Sequence, residues 1–368
     1  MLKHMPLLVF ACAALLISAA AKAIPPAINI PEPLLEGKLL GTHRKQIDDR
    51  VAWWKKSLLA AKTDEDIQRA GEKLLNDYQL YPNPNYQQAF AEETLKQYTD
   101  VLNGKAFSPD DSLVPLKRIN AALILTQMEQ PNMQPALQIL VADKNEALRF
   151  LGWQGYDAMR KNLLNGSKED LAPLIASTKT AVEKENNPIL LSAVYRVMNL
   201  GKLEGQVREP LRQAADAAFL QALQTSWPRR CKQVRIIKTT RKDLLPALRV
   251  AVRTLRSIGK DLQSAGRKDA EVTRCLQMTF DMAAAAAQTY DRAWQNRNTT
   301  LLEPCTDLLE ACESAFNALA GVKNAFLKEK LNPRNEVPDR GAAVLEAVLV
   351  HWAEALKDKG VQDTAMEK

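Results

Sequence analysis

From Gln46 onward the apolar residues of this chain return every three or four positions, the spacing that gathers them on one side of an α-helix. Ile47, Val51, Trp54, Leu58 and Ala61 form the first such row, with Arg50, Lys55 and Lys56 off it. The row places Trp54 in a core and turns Trp53 by about 100° toward a neighbouring helix. Thr63 before Asp64-Glu65-Asp66 predicts a second helix start, because a hydroxyl caps free backbone N–H groups and carboxylates favour the positive helix end. That helix reaches Tyr78. Tyr81-Pro82-Asn83-Pro84-Asn85 interrupts the pattern, a third stretch runs from Tyr86 to Leu102, and Asn103-Gly104 with Ser108-Pro109-Asp110-Asp111 make the next loop.

Residues 112 to 226 carry similar apolar helices at irregular intervals, separated by short Asn, Asp or Pro breaks. Three stretches align: LKRINAALILTQM from Leu116, LRFLGWQGYDAM from Leu148 and LLSAVYRVMNLG from Leu190. The second follows Asp143-Lys144-Asn145-Glu146 and the third follows Glu185-Asn186-Asn187-Pro188, so each opens on an acidic or amide cap. This region resembles HEAT-type helical repeats, and the segments DYQLYPNPNYQQAF and ALRFLGWQGYDAMR are similar to those of secreted bacterial HEAT-like proteins. The resemblance implies paired helices stacked into a curved solenoid and supplies no enzyme activity. On it, Leu123, Leu148, Leu151, Val194 and Val197 are expected between the layers.

Trp227-Pro228 reads as the end of that region, and the β-branched run Val234-Arg235-Ile236-Ile237 leaves room for a short extended piece. Asp243 with Pro246 marks a new helix start, and Leu244, Leu248, Ala251, Val252, Leu255, Ile258 and Leu262 share its apolar side. Asp269 to Gln295, with five consecutive alanines from Ala283, predicts the next helix. Another starts at Pro304 and stops at Asn332-Pro333, and a last one from Ala342 to Leu356 buries Val344, Leu345, Val348, Leu349, Trp352 and Leu356. The expected class is therefore all-α, a short irregular HEAT-like α-solenoid followed by a helical bundle region. Its divisions are a Pro-rich arm (24–40), an N-terminal helical region (41–111), the HEAT-like repeats (112–226), a basic C-terminal helical region (229–357) and a loose tail (358–368).

The chain begins with Lys3, an uncharged run from Pro6 to Ala21 and the small-residue pattern Ala21-Lys22-Ala23, which reads as a signal peptide over 1–23 cut after Ala23. Export to the periplasm, cell envelope or extracellular space is the expectation, with no transmembrane span after the cut. Without Cys12 the chain keeps Cys231, Cys275, Cys305 and Cys312, an even set in an exported protein. Cys305 and Cys312 are about 10 Å apart along one helix, too far to bond each other. An up-down-up helix order instead brings Cys231 toward Cys305 or Cys312, so a disulfide, if formed, is expected there.

Catalytic chemistry is thinly supplied. The chain has three histidines and 14 glycines, and it lacks a Walker loop, G-x-G-x-x-G, G-x-S-x-G, H-E-x-x-H or an EF-hand loop. No metal site and no cofactor are expected. Gly152-Trp153-Gln154-Gly155-Tyr156 sets two glycines beside aromatics inside a helix, which suits either a tight helix crossing or a groove where a ligand stacks on Trp153 or Tyr156. Charge is distributed unevenly: residues 229 to 268 hold 13 basic and two acidic residues. Within that segment Arg249, Arg253, Arg256 and Lys260 share one helix face, a stripe expected to be exposed and to meet an anionic partner. Export and the lack of interleaved aromatics disfavour nucleic acid. The expected function is an exported interaction scaffold binding a protein or an anionic envelope polymer. The alternative is a lyase or hydrolase acting on an acidic glycan, distinguished by carboxylates in a cleft facing the stripe.

Overall fold

The computed structural model describes residues 24–31, 39–203, 205–266, 270–322, 326–333, 335, 337 and 339–357. The expected leader with its Ala23 cut, the tail from 358 and residues 32–38 of the arm lie outside them. Among the described residues there are helices and no strand, so the fold is all-α. The chain divides into two units, 1–128 and 129–368. The first HEAT-like stretch, from Leu116, therefore falls in the first unit, and those from Leu148 and Leu190 fall in the second.

The first unit holds α1 (Gly41–Ala60), α2 (Asp64–Tyr78), α3 (Pro84–Leu102) and α4 (Val114–Gln127). Thr63 Oγ1 accepts from the Asp66 N–H at 3.2 Å, and the Asn83 side chain caps α3, whose first residue is Pro84. Helix α1 packs on α2 and α3, and α4 closes the other side against the same two. Trp54 is only half-buried. It sits at the rim, donating its indole N–H to Asp77, whose carboxylate also pairs with Arg50. The described part of the arm lies on α1, with Ile30 buried and Arg50 donating to the Pro26 carbonyl at 2.8 Å.

Leu123 departs from expectation and is exposed. The buried side of α4 is Lys117, Ala121, Ile124, Leu125 and then Met128, a helical row in which a lysine holds a core place. Its ammonium donates to the Leu59 carbonyl and to Asp111, each at 2.8 Å, and this bond holds the Asp111 carboxyl below the usual carboxylate range. The polar loop at 108–111 thus serves a buried cation.

The second unit holds α5 (Gln134–Val141), α6 (Glu146–Asn165), α7 (Lys168–Lys184), α8 (Pro188–Met198), α9 (Glu209–Arg235), α10 (Leu244–Ser264), α11 (Ala270–Gln295) and α12 (Thr299–Ala320). Short α13 (Phe326–Leu331), α14 (Arg340–Glu346) and α15 (Ala353–Lys357) follow. Each long helix from α5 to α10 packs on the second helix along, and most also pack on the next. The even helices α6, α8, α10 and α12 make one row of contacts, and the odd helices α7, α9 and α11 make another. Asn145, Ser167 and Asn187 cap α6, α7 and α8, and Leu148, Leu151, Val194 and Val197 are buried as expected.

Two prolines read as boundaries lie inside helices instead. Helix α9 runs through Pro228, and α12 begins five residues before Pro304. Pro228 deprives the Gln224 carbonyl of its partner, but Gln224 is exposed and water can take that bond. Neighbours on either side fix the helix: the Trp227 indole donates to the Met278 carbonyl at 2.7 Å, and Arg230 is bound to the end of α7. The run at 234–237 is the end of this helix and its following turn. In the last element, Val344, Val348, Trp352 and Leu356 are all buried at a spacing of four. An α-helix drifts by about 40° per such step, and a π-turn over Ala347–Trp352 removes the drift. Leu345 and Leu349 are left only half-buried.

Gly152 explains itself here. A Cβ on it would lie 2.8 Å from Val141 Cγ1 and 2.9 Å from Leu140 Cβ and the Val141 backbone nitrogen, so α6 crosses α5 at this glycine. Alanine there would gain about 1 kcal/mol of helix propensity, but the crossing must open. The expected net effect of Gly152→Ala is a loss of about 1–3 kcal/mol, read from the urea midpoint at constant slope. A more stable variant would show that the two helices part freely.

Candidate functional site

The apolar row of α10 is buried as expected, which turns Arg249, Arg253, Arg256 and Lys260 outward. All four line one open groove of about 910 Å³. Its opposite wall is α12, which presents Asp307, Glu310 and Ser314 at helical spacing, and the turn at Asn199 and Gly201 closes one end. Gly201 lies close against Ser257, so a Cβ there would sit 2.2 Å from Ser257 Oγ and turn that hydroxyl aside.

The stripe is therefore not left uncompensated, as its own segment suggests. Arg249 pairs with Asp307, and Arg256 donates to Ser314 Oγ at 2.7 Å. Arg253 and Lys260 are exposed and make no ion pair or hydrogen bond with the described residues. A serine hydroxyl leaves the Arg256 charge in place, so positive charge unmatched by a carboxylate in the groove rests on Arg253, Arg256 and Lys260, about one helical turn apart.

Beneath Lys260 the wall continues into a buried charged cluster. Asp261 lines the groove yet is 7% exposed, and its carboxylate meets Arg212 Nη1 at 2.7 Å. Arg212, itself buried, also holds Glu209 through two bonds of 2.8 and 2.9 Å, which keeps the Glu209 carboxyl below its usual range. Behind Asp261 stands Asp216, 1% exposed, whose two oxygens accept from no donor among the described residues. Burial first, and then the Asp261 carboxylate, push the Asp216 acid up to about 8, against the pull of Arg212. Two buried carboxyls this close disfavour both being ionised, which favours the protonated form of Asp216. Sequence alone did not single out Asp216, Asp261, Asp307 or Glu310; the one available signal was the polar face 307, 310, 314 on α12.

The aromatic candidates behave differently. Trp153 lies at the floor of a second groove of about 520 Å³, beside Val141, Arg149 and Lys184, but it is 1% exposed. Tyr156 is fully buried behind it, ring centroids 5.8 Å apart, and burial raises its hydroxyl to about 12. Neither ring offers a face for stacking, and Gly152 beside them serves the helix crossing.

Cys231, Cys275, Cys305 and Cys312 are all buried free thiols, so the structure holds no bond from Cys231 to Cys305 or Cys312. Burial pushes Cys275 and Cys305 up to about 12 and the other two higher still, which leaves little reactive thiolate. Among the described residues no three His, Cys, Asp or Glu side chains stand together as metal ligands, and no helix is long and apolar enough to cross a membrane. No protein-family model matches the chain, and no curated protein matches it in sequence.

Proposed function

We propose that this chain is an exported, non-catalytic binding protein that holds an anionic partner in the groove between α10 and α12. The carrying observation is the pair Arg253 and Lys260, exposed and without partners in a groove whose other two cations are already tied to α12. The HEAT-like reading fits this role, since solenoids bind along extended surfaces made by successive repeats. Packing of each helix on the second one along supports that reading, and because the pattern continues to α12, the repeats would extend beyond residue 226.

Retention of the full chain on a carboxylated matrix tests the proposal. It should weaken as salt rises, because a Debye length of about 8 Å at physiological ionic strength screens exposed charge. Arg253→Gln with Lys260→Gln should elute early, while Arg249→Gln, whose charge is already met by Asp307, should elute near the parent after allowance for net charge. Equal elution of parent and double variant sinks the idea.

A second reading, hydrolysis or lysis of an acidic glycan, draws on one observation: Asp261 reaches the groove wall with a protonated acid behind it. Release of new sugar ends from a bound glycan, abolished by Asp261→Asn, would establish that reading over simple binding.

A further inference from the structure

Resting on the anion-binding reading, we infer that the groove's partner is a linear acidic polysaccharide bearing a carboxylate on successive rings, set against the file of Arg253, Arg256 and Lys260 at about one-turn spacing. Three features of the groove point the same way. First, its cations unmatched by a carboxylate form a single file, Arg253, Arg256 and Lys260, about one helical turn apart, while Arg249 is already met by Asp307. An acidic sugar chain bearing one charge per ring offers a single file of well-separated anions, whereas polyphosphate crowds its charges on consecutive phosphates.

Second, the wall facing the cations is itself anionic. Glu310 is exposed and has no ion-pair partner among the described residues, while Asp307 is already met by Arg249, so an anion lying against that wall is repelled at Glu310. Sugar hydroxyls are donors as well as acceptors, and a carboxylate that accepts from them turns this repulsion into a charge-assisted hydrogen bond. Third, much of the remaining lining is small and polar, with the hydroxyls of Ser257, Ser264 and Ser314 and the amide of Asn199. Such side chains bond hydroxyls without demanding the apolar pockets that an acidic peptide would use to fix its side chains. Specificity on this account comes from the acids on α12, and attraction comes from the bases on α10.

The test compares three probes on the full chain by calorimetry: a size-defined oligogalacturonide, inorganic polyphosphate and poly-glutamate. The oligogalacturonide should bind best. Arg253→Gln with Lys260→Gln should weaken it by about tenfold or more, the scale of a single charge-assisted contact. Glu310→Ala separates the alternatives, because it should weaken the oligogalacturonide and tighten polyphosphate. Tighter parent binding of polyphosphate or poly-glutamate, or a gain for all three probes in Glu310→Ala, would overturn the polysaccharide inference and leave anion binding standing. If no probe binds in a way that Arg253 and Lys260 control, both readings fall. Circular dichroism of the variants guards against misfolding, and since all three positions are at the surface of helices their helicity should match the parent.

Discussion

Asp216→Asn is expected to stabilise the protein at neutral and alkaline pH and to flatten its dependence of stability on pH. In the unfolded chain this acid ionises near 3.8, and in the folded one near 8. Below the first value both states carry the proton and the side chain contributes nothing. Between the two, the folded state keeps a proton that the unfolded state has released, so stability falls as pH rises, by about 1.4 kcal/mol per pH unit. By pH 8 the accumulated cost reaches up to about 5 kcal/mol, and above that it is constant. Asparagine cannot ionise, and its amide can donate to Asp261 as the protonated acid does. Urea denaturation of parent and variant from about pH 4 to about pH 9 measures the difference. Glu313, also raised by burial, slopes the same way in both proteins and cancels in the comparison. A variant no more stable than the parent at pH 9, relative to pH 4, would mean that Asp216 is charged throughout and matched by Arg212.

The helices and their caps were legible because they depend on neighbours in sequence. Thr63, Asn83 and Asn187 precede their helices by fixed offsets, and the apolar row of α10 is complete within 20 residues. What escaped were decisions made between helices. Nothing near them in sequence marks Lys117 and Asp216 as buried, and only the packed structure supplies the carbonyl and carboxylate that hold the lysine and the burial that raises the acid. Asp307 meets Arg249 across 58 residues of sequence, so a local count of charge described the stripe as unmatched. The prolines at 228 and 304 show the same limit from the other side: propensity argues for a break, and tertiary contacts hold the helix through it. The candidate site was therefore half visible, its cationic wall in the sequence and its acidic wall only in the fold.

Arg230 is where this interhelical logic should be most costly to disturb. It is fully buried, and burial lowers its tendency to stay charged, yet it forms no ion pair with a carboxylate among the described residues. One Nη2 donates to the carbonyls of Val182 and Glu185, both at 2.8 Å, and Nη1 donates to Gln233 at 3.0 Å. Those two carbonyls belong to the last turn of α7 and the residue after it, where a helix leaves its acceptors open and its negative end favours a cation. The guanidinium is thus the C-terminal cap of α7, delivered from α9, and it ties together two helices of the same row. Arg230→Ala would empty the site, take the donor from the half-buried Glu185 carbonyl and leave the Val182 carbonyl only the long 3.5 Å bond from Arg229 Nη2, at an expected loss of about 3–5 kcal/mol. Arg230→Met fills most of the volume but supplies no donor, so it should recover only the packing part of that loss. Arg230→Lys retains one charged donor and should fall between the parent and Met. Urea midpoints for the three variants order these contributions. If Met is as stable as the parent, the cap contributes nothing net and the arginine is held there by packing alone; if Ala costs under about 1 kcal/mol, water has replaced the guanidinium and the joint between α7 and α9 does not depend on it.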